Sequence, residues 1–487
     1  MTNSMREAFR LVALSALPTC ALVALGLRLG GTVSMGAAVL VACLPVTVVL
    51  LRRIGGRETA VILASAAAFA SSWGAVSVGD LQVADGLWAA ALLAAAAYVG
   101  RHGTRWRLPW WIVALAVTIG VVACVHELMP VSSSYLSARD VLVTAEVEYG
   151  GAESRSTSSL LTAGKWLVAV LGLPLIVTMA QSFQPRAVLR IAVAWAAGVA
   201  VSALVAVADA GGLTGISASL LPVTNLGGRQ AGLASGVNNL AISAAMATPV
   251  FLWIGARPGR LVRVLGAVGL SASGAGIYVS GSRGGAVGFA FAIALYLLVV
   301  TGAGARLRVA VASVVLGVVA LAFLLGGVGV VDLLDLVRDP YTAAASNAER
   351  AVVTSQALAD VAYSPAFGVG YGVITQGFNL LLQVAAAGGI LVVLAFVLVQ
   401  VNVIASIRVV GTVRSEPVRT LSWTLWCSHV VWLFLGLFEN QITDRYLYVP
   451  LACLAAVLTT SVPDSAEADR TVVPVQPESR AERAALT

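Results

Sequence analysis

The stretch Gly377–Ala405, GFNLLLQVAAAGGILVVLAFVLVQVNVIA, contains no charged residue. It is longer than the run of about 20 apolar residues that a helix needs to cross a bilayer. Hydrocarbon offers no water to backbone N–H and C=O groups, so a run of this kind is a helix with its bonds made internally. Working outward, thirteen more apolar runs are found near 8–27, 32–51, 59–78, 86–100, 109–126, 161–180, 188–208, 237–256, 262–280, 285–301, 308–331, 417–438 and 446–462. Strand-like alternation is absent, so a transmembrane β-barrel is not supported. The expected fold class is all-α: a polytopic integral membrane helical bundle of about 14 transmembrane helices, within a range of 12–14.

Composition agrees with this reading. The 487 residues are 59% hydrophobic and 11% charged, with a mean hydropathy of +0.92. A soluble domain is roughly 45–50% apolar and about 25% charged, so a cytosolic enzyme is excluded. The net charge of +7 does not point to nucleic acid, because the basic residues fall in short loops between apolar runs. Cys20, Cys43, Cys124, Cys427 and Cys453 all lie in apolar stretches without CxxC spacing, and read as small hydrophobic core filler. Met1–Arg10 is basic and leads into a long apolar run without a cleavage site, which reads as a signal-anchor.

Orientation follows from the arginines. With the N-terminus in the cytoplasm, 21 of the 30 basic residues fall inside and 9 outside, while 8 acids fall inside and 15 outside. Both biases obey the positive-inside rule, and both termini are then cytoplasmic. Residues 1–462 form the transmembrane domain, and 463–487 read as a disordered cytoplasmic tail. Three long segments, 127–160, 209–236 and 332–376, become outer loops; the last is the large extracytoplasmic loop between the eleventh and twelfth helices. Long loops beside short turns are where function tends to sit.

Three outer arginines stand in glycine-rich settings. Arg229 lies in Asn225-Leu-Gly-Gly-Arg-Gln-Ala-Gly232, before a helix that opens with Asn238-Asn239. Arg283 lies in Ser280-Gly-Ser-Arg-Gly-Gly285, a polar break between apolar runs, and Arg350 closes Ser346-Asn-Ala-Glu-Arg350 ahead of Pro365-Ala-Phe-Gly-Val-Gly-Tyr-Gly372. A guanidinium stays charged and offers a planar fork that fits phosphate oxygens. Neighbouring glycines let the backbone come close and add N–H donors, and the helix resuming after Gly284 would aim its N-terminal amides at the same anion. Each arginine alone could equally be a headgroup anchor; three on one face favour an anion site.

In order along the chain, these stretches resemble the O-antigen ligase and O-antigen polymerase family. Arg229-Gln-Ala-Gly232 with Asn238-Asn239-Leu240-Ala241 is similar to its R-x-x-G…N segment, and Ser282-Arg283-Gly284-Gly285 to its S-R-G segment. Arg350, then Ser364-Pro-Ala-Phe-Gly-Val-Gly370, then Asn379-Leu-Leu-Leu-Gln383 with Gly388-Gly389 are similar to its large outer loop and following helix start. The match spans about 225–400 and leaves the N-terminal half to hydropathy alone.

The resemblance implies transfer of a glycan from an undecaprenyl-pyrophosphate carrier to an acceptor saccharide at the outer face of the cell membrane. It implies no nucleotide sugar, no metal and no cofactor; the partners are the lipid-linked donor, the acceptor and the bilayer, without nucleic acid. Arg229, Arg283 and Arg350 would grip the pyrophosphate, and Gly232, Asn238, Ser282, Gly284 and Asn379 would line the substrate site. One departure matters: the ligases carry a histidine where this chain has Phe378. Candidate replacement bases are Glu349, Asp360, the pair His126-Glu127 and Glu439, with Glu349 the best placed beside Arg350. The gap favours a polymerase, or a ligase for another acceptor, over a strict lipid A-core ligase, and leaves room for an inactive homologue.

The alternative from another class is a lipid-linked glycan flippase or transporter, which should line the membrane centre with charges in both halves. Here the long loops and motif arginines gather on one face. Of the remaining polar residues, His429 is a packing or pathway histidine in Trp426–Trp432, and Asp332, Asp335 and Asp339 form an acidic loop entry. Asp80 and Asp85 read as caps, Trp106, Trp110 and Trp111 as an interfacial belt, and Glu439 with Asp444-Arg445 as a polar loop bordering the site.

Overall fold

The computed structural model describes residues 56–78, 81–103, 106–144, 155–221, 228–301, 340–373, 379–413, 415–438 and 442–461. It is helical apart from one antiparallel pair of two-residue strands, β1 Ser77–Val78 and β2 Leu81–Gln82. The helices are α1 Gly56–Ala70, α2 Val83–His102, α3 Trp110–Leu128, α4 Ser133–Thr144, α5 Arg155–Leu167, α6 Leu173–Phe183, α7 Ala187–Ala210 and α8 Ile216–Leu220. They continue with α9 Val237–Gly255, α10 Arg260–Ser280, α11 Arg283–Val299, α12 Pro340–Tyr363, α13 Leu380–Ala405, α14 Ile407–Gly411, α15 Glu416–Leu435 and α16 Arg445–Ser461. A π-helical turn, Val168–Gly172, joins α5 to α6.

Among the described residues, seven helices are long and apolar enough to cross a membrane: Val83–His102, Trp110–Leu128, Thr162–Phe183, Ala187–Ala210, Val237–Gly255, Arg260–Ser280 and Leu380–Gly411. Their outward faces are apolar at helical spacing. On α3 the exposed side chains include Val113, Val117 and Val121; on α13 they include Leu394, Val397 and Val401. A water-facing helix shows the reverse pattern, polar outward and apolar inward. Every expected span within the described residues is helical, although the run at 59–78 ends early, at Ala70, and gives way to the strand pair. The runs at 8–27, 32–51 and 308–331 and the tail at 463–487 lie outside the described residues.

Two segments expected to be loops contain substantial helix: α4 within 127–160, and α12 within 332–376. On α12, Val353, Gln356, Ala357 and Asp360 are buried at the i, i+3, i+4, i+7 spacing of one helix face. Half of that face is polar, so a hydropathy reading passes over it. Two smaller expectations also change. Trp111 is buried while Trp106 and Trp110 are exposed, so the belt is two residues, and Cys124 faces outward while Cys427 and Cys453 are core.

The centre of the bundle is α9. In its apolar stretch 78% of residues are buried, against 33% for the stretch through α13. Small residues let neighbours close on it: a Cβ at Gly266 of α10 would sit 2.4 Å from the Gly255 nitrogen of α9. Close backbone approach of this kind is how helices gain packing where no hydrophobic effect drives them together.

α13 is broken near Gly389, whose φ of 66° and ψ of −170° are non-helical. The segment Pro365–Gly370 fills the break. Val369 N–H donates to Ala386 O at 2.8 Å, Gly370 N–H to Ala387 O at 3.1 Å, and Ile390 N–H to Pro365 O at 2.9 Å. A Cβ at Gly389 would lie 2.2 Å from Ala366 O. Irregular backbone inside a bundle is tolerated where protein buries and satisfies it, as happens here.

Candidate functional site

Connections and bonded contacts divide the helix ends into two groups. One group joins the N-termini of α1 and α15 to the C-termini of α6 and α9. There Arg190 Nη1 donates to Glu58 Oε2 at 2.8 Å, Arg57 bonds Gln184, and Arg257 lies 3.7 Å from Glu416 and stacks on Trp253. The other group gathers the N-termini of α2, α9, α11, α13 and α16 with the C-termini of α10 and α15. All three motif arginines are at this second end.

The first turn of α9 is its hub. Arg229 Nε donates to Ser280 O at 2.7 Å, at the end of α10, and its Nη2 donates to Asn238 Oδ1 at 3.2 Å. These two bonds fix the plane of a half-buried guanidinium. Next along, Asn239 Nδ2 bonds Ser235 Oγ and reaches Asp444 Oδ2 at 3.4 Å, just before α16. Two residues further, Ala241 receives α11: a Cβ at Gly285 would come within 2.4 Å of the Ala241 Cβ. The start of α11, with Arg283 as its first residue, is thereby pressed against the same turn that holds Arg229.

The polar break at 280–285 is shorter than the sequence suggests. Gly281, at φ 62°, closes α10 with its N–H on Ile277 O, and α11 begins at Arg283 instead of after Gly284. Ser282 is its N-cap; its Oγ accepts the Gly285 N–H at 3.2 Å. One amide expected to point at a ligand is therefore satisfied by the cap itself. Gly284 is half-buried in the first turn.

Other expected site residues also have local roles. Asn379 is the N-cap of α13, accepting from Leu382 N–H at 3.1 Å, and its Nδ2 reaches Leu437 O at 3.5 Å. Gly232 is buried where a Cβ would lie 2.2 Å from Ser202 O, so packing against α7 alone requires glycine there. Arg350, half-buried on α12, donates from Nη1 to Phe438 O at 3.5 Å. The turn that accepts it follows Leu435, which fills the space beside Gly288, little more than one helical turn beyond Arg283. The structure thus joins Arg229 and Arg283 through one helix turn, and ties Arg350 to them through the C-terminus of α15.

The candidate bases separate clearly. Asp360 is fully buried and accepts from Tyr135 Oη at 2.8 Å and Gln356 Nε2 at 2.9 Å, bracing α12 against α4. His126 is buried, 3.3 Å from Gly368 O and edge-on to Tyr371, which makes it a strut for the segment filling the α13 break; Glu127 is exposed. Glu349 is on α12 with its side chain outside the described residues, as are Phe378 and Glu439. His429 is fully buried, 2.7 Å from Gln400 Oε1 and packed on Trp432, joining α15 to α13.

Asp444 borders the arginine end, as the sequence reading expects, and Arg445 opens α16; the partners that hold the two are not visible in the sequence. Arg445 is bidentate to Asp85, Nε to Oδ1 at 2.7 Å and Nη2 to Oδ2 at 2.9 Å, and its Nη1 donates to Thr443 O. Asp85 also caps α2 by accepting from Gln82 N–H, so the cap reading of that residue holds. Burial pushes the Asp444 carboxyl up to about 6, with the adjacent Arg445 pulling it back. The pairing partners lie 205 and 360 residues away, which no local motif reveals.

Among the described residues, no three His, Cys, Asp or Glu side chains gather as a metal site would. No protein-family model matches the chain, and no curated protein matches it in sequence. The site's chemistry therefore rests on its own residues: oriented guanidiniums at the end of a helix bundle, two helix N-termini between them, and a half-buried carboxyl beside them.

Proposed function

We propose that the chain is a multi-pass membrane glycosyltransferase of the O-antigen ligase or polymerase type. It takes a glycan from an undecaprenyl-pyrophosphate carrier and passes it to an acceptor saccharide at the outer face of the cell membrane. In this reading about 14 spans cross the bilayer, both termini are cytoplasmic, and the arginine-motif end faces outward. The observation that carries it is the convergence of Arg229 and Arg283 on the first turn of α9. Cations held in place before the reaction stabilise charge that develops on a leaving pyrophosphate, commonly the largest catalytic term. The N-termini of α9 and α11 add their partial positive charge to the same region. Arg350, on α12, belongs to the cover over that site, and Glu349 beside it remains a candidate participant.

The test is glycan transfer by the full-length protein in proteoliposomes, supplied with polyprenyl-pyrophosphate-linked oligosaccharide extracted from its host membrane. Transfer that Arg283→Ala and Arg229→Ala abolish, at equal protein abundance, supports the reading; transfer indifferent to both overturns it. A second reading, a lipid-linked glycan flippase, is favoured by the broken α13, since discontinuous helices are common in transporters. Labelled lipid-linked glycan that crosses the bilayer without being transferred would select it.

A further inference from the structure

The glycosyl transfer above needs a group to take the proton of the acceptor hydroxyl, and Phe378 has none to offer. We infer that Asp444 is that catalytic base, held at the arginine site by Asn239. The inference rests on the proposed transferase reading and deepens it.

Geometry singles out Asp444 among the described carboxylates at this end of the bundle. Asp85 is committed to Arg445 and to the cap of α2. Asp360 is fully buried between Tyr135 and Gln356. Asp209 accepts the Ile216 and Ser217 amides and so caps α8. Glu127 is exposed at the far end of α3. Asp444 alone in this set bonds the first turn of α9, through the residue next to the one that orients Arg229.

Its surroundings suit the task. The groups facing it are Asn239 from α9, Arg445 on its own segment with Asp85 of α2 behind, and Tyr448 one turn into α16. Tyr448 Oη donates to Ile442 O and accepts from Trp166 Nε1. Arg445 directs its fork at Asp85 and Thr443 O, so it tempers the Asp444 charge without capturing the carboxylate. A carboxyl titrating near 6 is basic enough to accept a proton and still ionised at neutral pH.

In the step, the acceptor oxygen attacks the anomeric carbon and its proton passes to an Asp444 oxygen. The bond from that carbon to the pyrophosphate oxygen breaks, and the electron pair leaves with the polyprenyl pyrophosphate, whose charge Arg229 and Arg283 meet. The products are the glycosylated acceptor and the free carrier; nothing is oxidised or reduced.

The experiment is the same proteoliposome assay with wild type, Asp444→Asn, Asp444→Glu and Arg283→Ala. Asparagine matches the protonated carboxyl that folding favours, so Asp444→Asn should insert and fold normally. The expected result is a loss of about 100-fold or more in kcat with the donor KM within about threefold, in the range of a lost general base. Asp444→Glu should recover part of the rate. The wild-type rate should rise with pH through about 6, and the Asp444→Asn residual rate should not. If Asp444→Asn keeps its rate within about threefold while Arg283→Ala is inactive, the base assignment falls and the arginine site stands. If the wild type transfers no glycan, both fall together.

Discussion

The two ends of this bundle hold their arginines through different contacts. At one end Arg190 is ion-paired with Glu58, and Arg257 lies against Glu416 and the ring of Trp253. Those partners neutralise or shield the cation, and the arrangement knits helix ends together. At the other end Arg229 is gripped by a carbonyl oxygen and an amide oxygen, and Arg350 by a carbonyl. Those oxygens hold the planes of the two guanidiniums in place. Arg445 supplies the control: it sits among the motif arginines yet is buried and bidentate to Asp85, as a structural arginine would be. Composition alone does not distinguish Arg445 from its neighbours; its burial and its bidentate pair with Asp85 do.

The sharpest way to break this contrast is Arg445→Ala. Removing one partner of a buried, bidentate pair strands the other charge and costs about 3–5 kcal/mol. Thermal unfolding in detergent or nanodiscs should register the loss for Arg445→Ala and much less of it for Arg283→Ala. Next, Arg283→Ala or Arg229→Ala should lower transfer by about 10²–10³-fold with little loss of stability, as for removing one preset donor to developing charge. Arg257→Ala at the opposite end, measured in the same assay, should leave the rate within a factor of about three. An equal loss at both ends would erase the distinction.

Smaller effects test the frame that holds the site. Gly389→Ala places a Cβ 2.2 Å from Ala366 O at a positive φ, and should cost about 1–3 kcal/mol by prising Pro365–Gly370 from the α13 break. Protection of the Val369 and Gly370 amides from hydrogen exchange is the readout. The smallest effect concerns pH. The Asp444 carboxyl is raised in the folded protein, so folding favours its protonated form. Its contribution is fully present below the usual carboxylate pKa of about 4 and is lost as pH rises through about 6. Asp444→Asn should remove that part of the stability–pH curve, and an unchanged curve would place the charge elsewhere.

Legibility in the sequence followed the range of the interactions. The spans at 188–208 and 237–256 coincide with α7 and α9 to within two residues, because apolarity and internal backbone bonding are local demands. Hydropathy makes a loop of α12 because its buried face includes Gln356 and Asp360, whose partners come from α4 and from its own preceding turn. The glycines of the third motif suggest a ligand contact in the sequence, whereas in the structure Gly368 and Gly389 let one chain segment dock into another. Ser282 and Asn379, substrate-site residues by resemblance, are each the N-cap that starts a helix.

By itself the sequence determined where the apolar helices run, that several of them suit hydrocarbon, and that charged residues stay near the ends of those apolar runs. These follow from transfer energies and backbone satisfaction, which each segment meets alone. The tertiary structure decided which of those ends meet. It set Asp444 beside Asn239 across 205 residues, spent Arg445 on Asp85 across 360, and folded Pro365–Gly370 into a broken helix. Such choices depend on shape and hydrogen-bond geometry between distant segments, and these exist only once the helices have packed.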